Sequence, residues 1–372
     1  MNSPRGARGA ILWDNCSLNN AGIWNVDAGG DGADPANWTG DAPNGVDASA
    51  NFLNAITAGR TVAVDAPLTL GSLNFNNANG YVLAGASTLR IEASTGIALV
   101  TAQGGTHRIN LPTTIASNTV LSVASGSTLE IGDPLTVAAG KSLKTNGAGT
   151  VTYQSSVSLE AGASIVFSAD ASPTALSLAS GAKASVAAHG TSAQRTLTVN
   201  SLSLASDATL DIADNKLVIA YSGANPVNSI RTALASAYNG GDWLGSGLTS
   251  SGLPANYALG VTDAASAITV QIARSGDATV DGVVNFNDLL ALAANYGSTG
   301  TGTWSTGDFN YDGNVNFNDL LTLAANYGQG GAPATGTFAG DWSLAQSMVP
   351  EPSSLVALSA PVTLALRRRR SI

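Results

Sequence analysis

Short runs in which apolar and polar residues alternate recur throughout residues 10–220, a stretch with no helical periodicity of any length. They include Thr61–Asp65, Thr69–Phe75, Thr88–Ile91, Thr128–Ile131, Ser164–Phe167 and Thr209–Ile212. Alternation at period two puts every second side chain on one face, the pattern of a strand with one buried side. A turn phrase, aliphatic–Ala–small–Gly or a close variant, punctuates the runs. It occurs at Val123–Gly126, Val137–Gly140, Leu159–Gly162, Leu178–Gly181 and Leu204–Asp207, at spacings of 14, 22, 19 and 26 residues. A loose period of about 20 residues is that of stacked coils, each too small to bury its own apolar face. The expected fold is mainly β, with a parallel β-solenoid resembling a right-handed β-helix as the body. A two-sheet β-sandwich is the alternative. With 42 glycines and only 11% charged residues among 372, the composition suits a repetitive β-structure rich in turns.

A second repeat follows the first. Gly276–Gly297 and Gly307–Gly328 are copies offset by 31 residues, and 13 of 15 positions agree between 283–297 and 314–328. Each opens with an oxygen-rich loop. A twelve-residue calcium loop uses side chains at positions 1, 3, 5, 9 and 12, a backbone carbonyl at 7 and a glycine at 6. In the first copy Asp277, Thr279, Asp281, Asn285 and Asp288 take the side-chain positions, Val283 offers the carbonyl and Gly282 the turn. In the second they are Asp308, Asn310, Asp312, Asn316 and Asp319, with Asn314 and Gly313. Calcium is a hard cation that gathers six to eight oxygens, so two Ca2+ sites are expected. Thr279 brings one hydroxyl where Asn310 brings an amide, which makes the first site the poorer. Phe286, Leu289, Leu290, Ala293 and Tyr296 then follow helical spacing, as do Phe317, Leu320, Leu321, Ala324 and Tyr327. Gly297 and Gly328 suit left-handed helix ends. No helix is expected before either loop.

Other features bound the function. Removing Arg5, Arg8 and Arg367–Arg370 leaves ten bases against 25 acids, or −15 for the body. Nucleic-acid recognition needs a basic face, so it is not expected. Cys16 is the single cysteine, so no disulfide forms within the chain. His107 and His189 stand far apart without a nucleophile pattern. Glu92, Glu130 and Glu160 are isolated among Ser, Thr and Leu, so no catalytic residue is assigned and outward solvated positions are expected for them. Asn225 and Pro226 would start a helix with Ile230, Leu234 and Ala237 on one face, and Ala267–Ala273 reads as a strand.

The duplicated segment resembles a type I dockerin, the small calcium module that docks onto cohesin domains. That resemblance implies a cohesin-like partner recognised through loop positions 10 and 11, here Phe286–Asn287 and Phe317–Asn318. The chain end resembles a PEP-CTERM sorting signal: Pro350, Glu351 and Pro352, then the apolar stretch Leu355–Leu366, then Arg367, Arg368, Arg369 and Arg370. Twelve helical residues span about 18 Å, short of a roughly 30 Å hydrocarbon core, so only transient membrane contact is expected. The resemblance implies an exosortase-type sorting enzyme as partner and export to the cell surface. The brief Gly9–Trp13 run is too short for a secretory leader, and a start site upstream is the simplest account. Trp13, Trp24 and Asn37–Trp38 resemble the opening of bacterial proteins with autotransporter-associated β-strand repeats, found on planctomycete surfaces. There the tryptophans either cap the solenoid or stack on a surface glycan, and capping is the favoured reading. The expected organisation is a body over 1–220 with its Trp-rich cap, a joining module over 221–275, a dockerin-like module over 276–330, a linker over 331–348 and a sorting signal over 349–372.

Overall fold

The computed structural model describes residues 20–331 and 336–349. Trp13, Pro350, Glu351, Pro352 and Arg367–Arg370 lie outside them. Two compact units divide the chain, one reaching Ser275 and including Asn310–Asp312, the other holding the rest from Gly276.

The first unit is a parallel β-solenoid of about eight turns. Its coils lay strands on three sheets. One coil runs through Ala98–Ala102, Thr106–Asn110 and Thr113–Ile115, and the next through Thr119–Val123, Thr128–Ile131 and Leu135–Val137. Each strand pairs in parallel with its equivalents on the coils before and after it. On the third sheet Leu70, Ile91, Ile115, Val137, Leu159, Leu178 and Leu204 stand in register, one per coil. The first six are at most 2% exposed. Each fully buried aliphatic side chain contributes roughly 1.5–3 kcal/mol by leaving water, and the ladder repeats that gain on every coil.

The register explains the uneven turn phrases. Those at Val137, Leu159, Leu178 and Leu204 close third-sheet strands, so their spacings of 22, 19 and 26 residues are coil lengths. The phrase at Val123 closes a first-sheet strand, a different corner, which accounts for the odd spacing of 14. The run Thr69–Phe75 is likewise two strands. Leu68–Leu70 lies in the third sheet and Ser72–Phe75 in the first, with the chain turning at Gly71. A Cβ on Gly71 would sit 2.5 Å from Asp47 Cα, so only glycine fits that corner.

Aromatic residues fill the N-terminal coils. Trp24 and Trp38 meet edge to face at 5.2 Å, and Phe52 stacks on Phe75, which stacks on His107 at 4.8 Å. Trp24 and Trp38 are 1% and 6% exposed, so both are core residues. Trp38–Gly40 pairs antiparallel with Ala21–Trp24 and closes the first sheet's edge.

Residues 221–275 extend the first sheet and complete a separate four-stranded sheet with Thr196–Val199 and Lys216–Ala220. Gly247–Thr249 adds a parallel strand to the first sheet. Tyr257–Ala264 and Ala267–Arg274 form a hairpin antiparallel to Lys216–Ala220. Helix α1, Val227–Tyr238, buries Ile230, Leu234 and Ala237 as its spacing predicts. The Asn225 side chain accepts from Val227 N at 2.9 Å, at the helix start.

The second unit holds α2 (Phe286–Asn295), α3 (Phe317–Asn326) and α4 (Phe338–Met348). Helix α4 lies within the stretch 331–348 expected as a linker. Thr337 caps the helix, Phe338 packs on Tyr327, Trp342 on Tyr296, and Ala345 is fully buried. Spacings of four and three residues make one apolar stripe, and Tyr327 donates to Asp341 Oδ2 at 2.7 Å.

Candidate calcium loops

Each oxygen-rich loop ends in the first turn of a helix, and the same residues serve both. Asn285 accepts from Asn287 N at 2.8 Å while Asp288 accepts from Asn285 N at 2.8 Å. Asn316 and Asp319 do the same for α3, at 2.8 and 2.9 Å. Loop positions 9 and 12 therefore form a capping box, which satisfies helix N–H groups that would otherwise lack partners. Sequence reading missed this double use, although N-x-x-D before an apolar run was the available signal.

In the first loop Asp277 and Asp288 are fully buried. The Thr279 hydroxyl lies 3.3 Å from an Asp277 oxygen and 3.1 Å from an Asp288 oxygen, so it bridges them. Asp277 also accepts from Asp281 N and Gly282 N, at 3.2 and 2.8 Å. Asp281 turns onto its own backbone and accepts from Val283 N at 2.9 Å. Burial pushes the Asp277 and Asp288 carboxyls above the usual range. Backbone hydrogen bonds oppose that rise, and the charges of Asp281 and Asp277 respectively add to it.

In the second loop Asp308 accepts from Gly313 N at 3.0 Å and Asp319 from Phe309 N at 2.9 Å. Asn310 accepts from Asp312 N and donates to Asp312 Oδ2, at 3.0 and 3.1 Å. The Asn314 side chain accepts from Gly300 N at 3.3 Å. The two loops thus differ at position 3. Thr279 faces positions 1 and 12, while Asn310 faces position 5.

Among the described residues no three His, Cys, Asp or Glu side chains are grouped to hold an ion as they stand. The donor chemistry of the first loop nevertheless fits a hard cation. Two desolvated carboxylates share one hydroxyl, and the charges raising their pKa are those of other carboxylates. The backbone is shaped to match. Position 6 is left-handed at Gly282 and Gly313, with φ of 92° and 83°. Position 4 is also left-handed, at Val280 and Tyr311, with φ of 57° and 58°. For a β-branched residue such as Val280 that conformation is strained and persists only where its surroundings impose it. Trp304, 1% exposed, donates its indole N–H to Asp277 O at 2.6 Å and packs edge-on to Phe309. It braces the first position of one loop from the approach to the other. Its role was not legible in the sequence because it lies outside both repeats.

The isolated carboxylates of the body stay apart. Glu92 pairs with Arg90, Glu130 with Arg108 one coil away, and Glu160 accepts from Ala139 N at 3.0 Å. Glu92 and Glu130 are half-buried partners of arginines, where solvated positions were expected. His107 is fully buried, and His189 lies 3.5 Å from Asp214. No helix among the described residues is long and apolar enough to cross a membrane. Compared with known proteins, the chain matches no family model, no curated sequence and no solved structure.

Proposed function

We propose that residues 276–330 form two calcium-binding loop–helix units of dockerin type. In this reading the whole chain is a non-enzymatic cell-surface or extracellular-matrix component, delivered through a PEP-CTERM-type signal at 349–372. One observation carries the calcium reading: Asp277 and Asp288 are buried together around Thr279 Oγ1, with like charges acting on them. Asp277, Thr279, Asp281, Asn285, Asp288 and the Val283 carbonyl would hold the first ion. Asp308, Asn310, Asp312, Asn316, Asp319 and the Asn314 carbonyl would hold the second. Calcium neutralises each carboxylate set, and its binding free energy then adds to folding. Calorimetry of the chelated chain should show two calcium sites, with a higher melting temperature for this unit on loading. Absence of binding heat together with an unchanged melting curve overturns the reading.

A second reading makes the module the anchor of a polysaccharide-binding or polysaccharide-degrading assembly. It is favoured by Phe317 and Leu321, one turn apart on α3 and 59% and 51% exposed. Binding of the calcium-loaded chain to an immobilised cohesin domain, lost in Phe317→Asp, would select this reading.

A further inference from the structure

The third sheet of the solenoid ends on Ser201–Leu204, which pairs with Ala175–Leu178 on one side only. Other strands at this end of the unit gain further partners. Gly247–Thr249 extends the first sheet, and the hairpin Tyr257–Arg274 extends the strands at Thr196–Val199 and Lys216–Ala220. At the opposite end of the third sheet the edge is closed. Asn44 accepts from Thr69 N at 2.9 Å and donates to Pro67 O, while Gly45 N donates to Thr69 O. Of the third sheet's two edges, only the one at Ser201–Leu204 has no such closure among the described residues.

The edge faces a groove of about 410 Å³ between this strand and α1, lined by Leu202, Leu204, Ile230, Ala233, Ser236 and Gly247 among others, none of them charged. Leu204 and Leu202 are half-exposed there, whereas their equivalents Leu178 and Leu176 one coil earlier are buried. Ser201 N and Ala205 N donate back to Thr174 O and Leu178 O. In a parallel ladder, alternate residues serve opposite neighbours. Leu202 and Leu204 therefore turn their N–H and C=O groups toward the groove. The site offers two backbone donors and two acceptors above an apolar floor, which is what an incoming strand reads.

We propose that this edge takes one more rung, an extended peptide segment of a partner protein that lies parallel to Ser201–Leu204. The occupant has uncharged aliphatic side chains at the two inward positions, because the groove holds no charge to pair with one. A second copy cannot supply the rung by stacking end to end, since its own third-sheet edge is closed by Asn44 and Gly45.

The probe is an acetylated, amidated peptide with the sequence of residues 200–205, added to the full chain at up to millimolar concentration. Hydrogen exchange resolved by residue is the readout. Without peptide, Leu202 and Leu204 amides should exchange fast and Ser203 slowly. With saturating peptide, Leu202 and Leu204 should slow at least tenfold while Ser203 is unchanged. The same peptide N-methylated at alternate residues should have no effect, and Ala233→Phe, which fills the groove, should abolish protection. Unchanged exchange, or equal protection by the N-methylated peptide, overturns strand pairing. Concentration-dependent self-association that protects the same amides without peptide would replace the partner with a second copy and also overturn the proposal. So would protection of both amides in the monomeric chain alone, which would mean that the chain itself covers the edge.

Discussion

At the scale of single residues, His107 shows how completely the coil interior dictates protonation. Its Nδ1 accepts from Tyr81 N at 3.2 Å, its Nε2 faces Gly104 O, and its ring stacks on Phe75. The neutral Nε2–H tautomer satisfies both partners, whereas a second ring proton would point at a donor. Burial lowers its pKa below the ordinary 6.5. A lowered folded-state value means this contribution to stability is fully present above about 6.5 and lost as pH falls through the folded-state pKa. His107→Phe should therefore cost about 1–3 kcal/mol at pH 7.5, since Tyr81 N–H loses its acceptor, yet show a flatter decline toward acid. Denaturant titrations at pH 7.5 and 5 compare the slopes, and an equally steep decline in the variant would assign the acid sensitivity elsewhere. The candidate calcium loops allow a second comparison. Thr279 gives the first loop one hydroxyl where Asn310 gives the second an amide. The second site should bind more tightly, so in calorimetry Asp319→Ala should remove the stronger phase and Asp288→Ala the weaker. The reverse assignment would show that the Thr279 bridge between Asp277 and Asp288 outweighs the poorer ligand.

At the scale of elements, what was legible depended on how local the signal was. Alternation revealed the strands because inward and outward side chains differ in every coil. It did not say which sheet a strand joins, since all three sheets bury the same kind of residue. That is why Val123–Gly126 looked equivalent to phrases at another corner and Thr69–Phe75 looked continuous. The candidate loop positions could be picked out one by one from the repeat, but the brace from Trp304 needs tertiary structure. Helix α4 was passed over because Gly336 and Gly340 interrupt its start and its stripe rests on three residues, Phe338, Trp342 and Ala345. Its importance can be measured. Trp342→Ala removes the ring packed on Tyr296 and should destabilise this unit by about 1–3 kcal/mol, less than the roughly 3–5 kcal/mol of a fully buried tryptophan. A melting transition indistinguishable from wild type would mean that α4 contributes nothing to the fold.

At the scale of the whole molecule, the proposed sorting signal makes a claim about mass. Four arginines cannot cross hydrocarbon without a cost of several kcal/mol, so Arg367–Arg370 would stay on the cytoplasmic side and leave Pro350–Pro352 near the outer face. Native protein from the cell surface should then lack the peptide containing Val362–Leu366. Recovery of that peptide by mass spectrometry would rule out processing. The solenoid permits a bolder operation. Ile115 and Val137 occupy the same corner on successive coils, so deleting residues 116–137 removes one whole turn and rejoins Ile115 to Ala138. Because each coil touches only its neighbours, the shortened chain should fold with a β-rich spectrum and a cooperative melt. A molten or aggregated product would show that the coils are not interchangeable. If they are, the body is a ruler. Its strands are spaced about 4.8 Å apart along the axis, so gaining or losing a coil changes reach by one fixed increment. Coils of 19 to 26 residues all count as one mark on that ruler, since the surplus length is taken up at the corners.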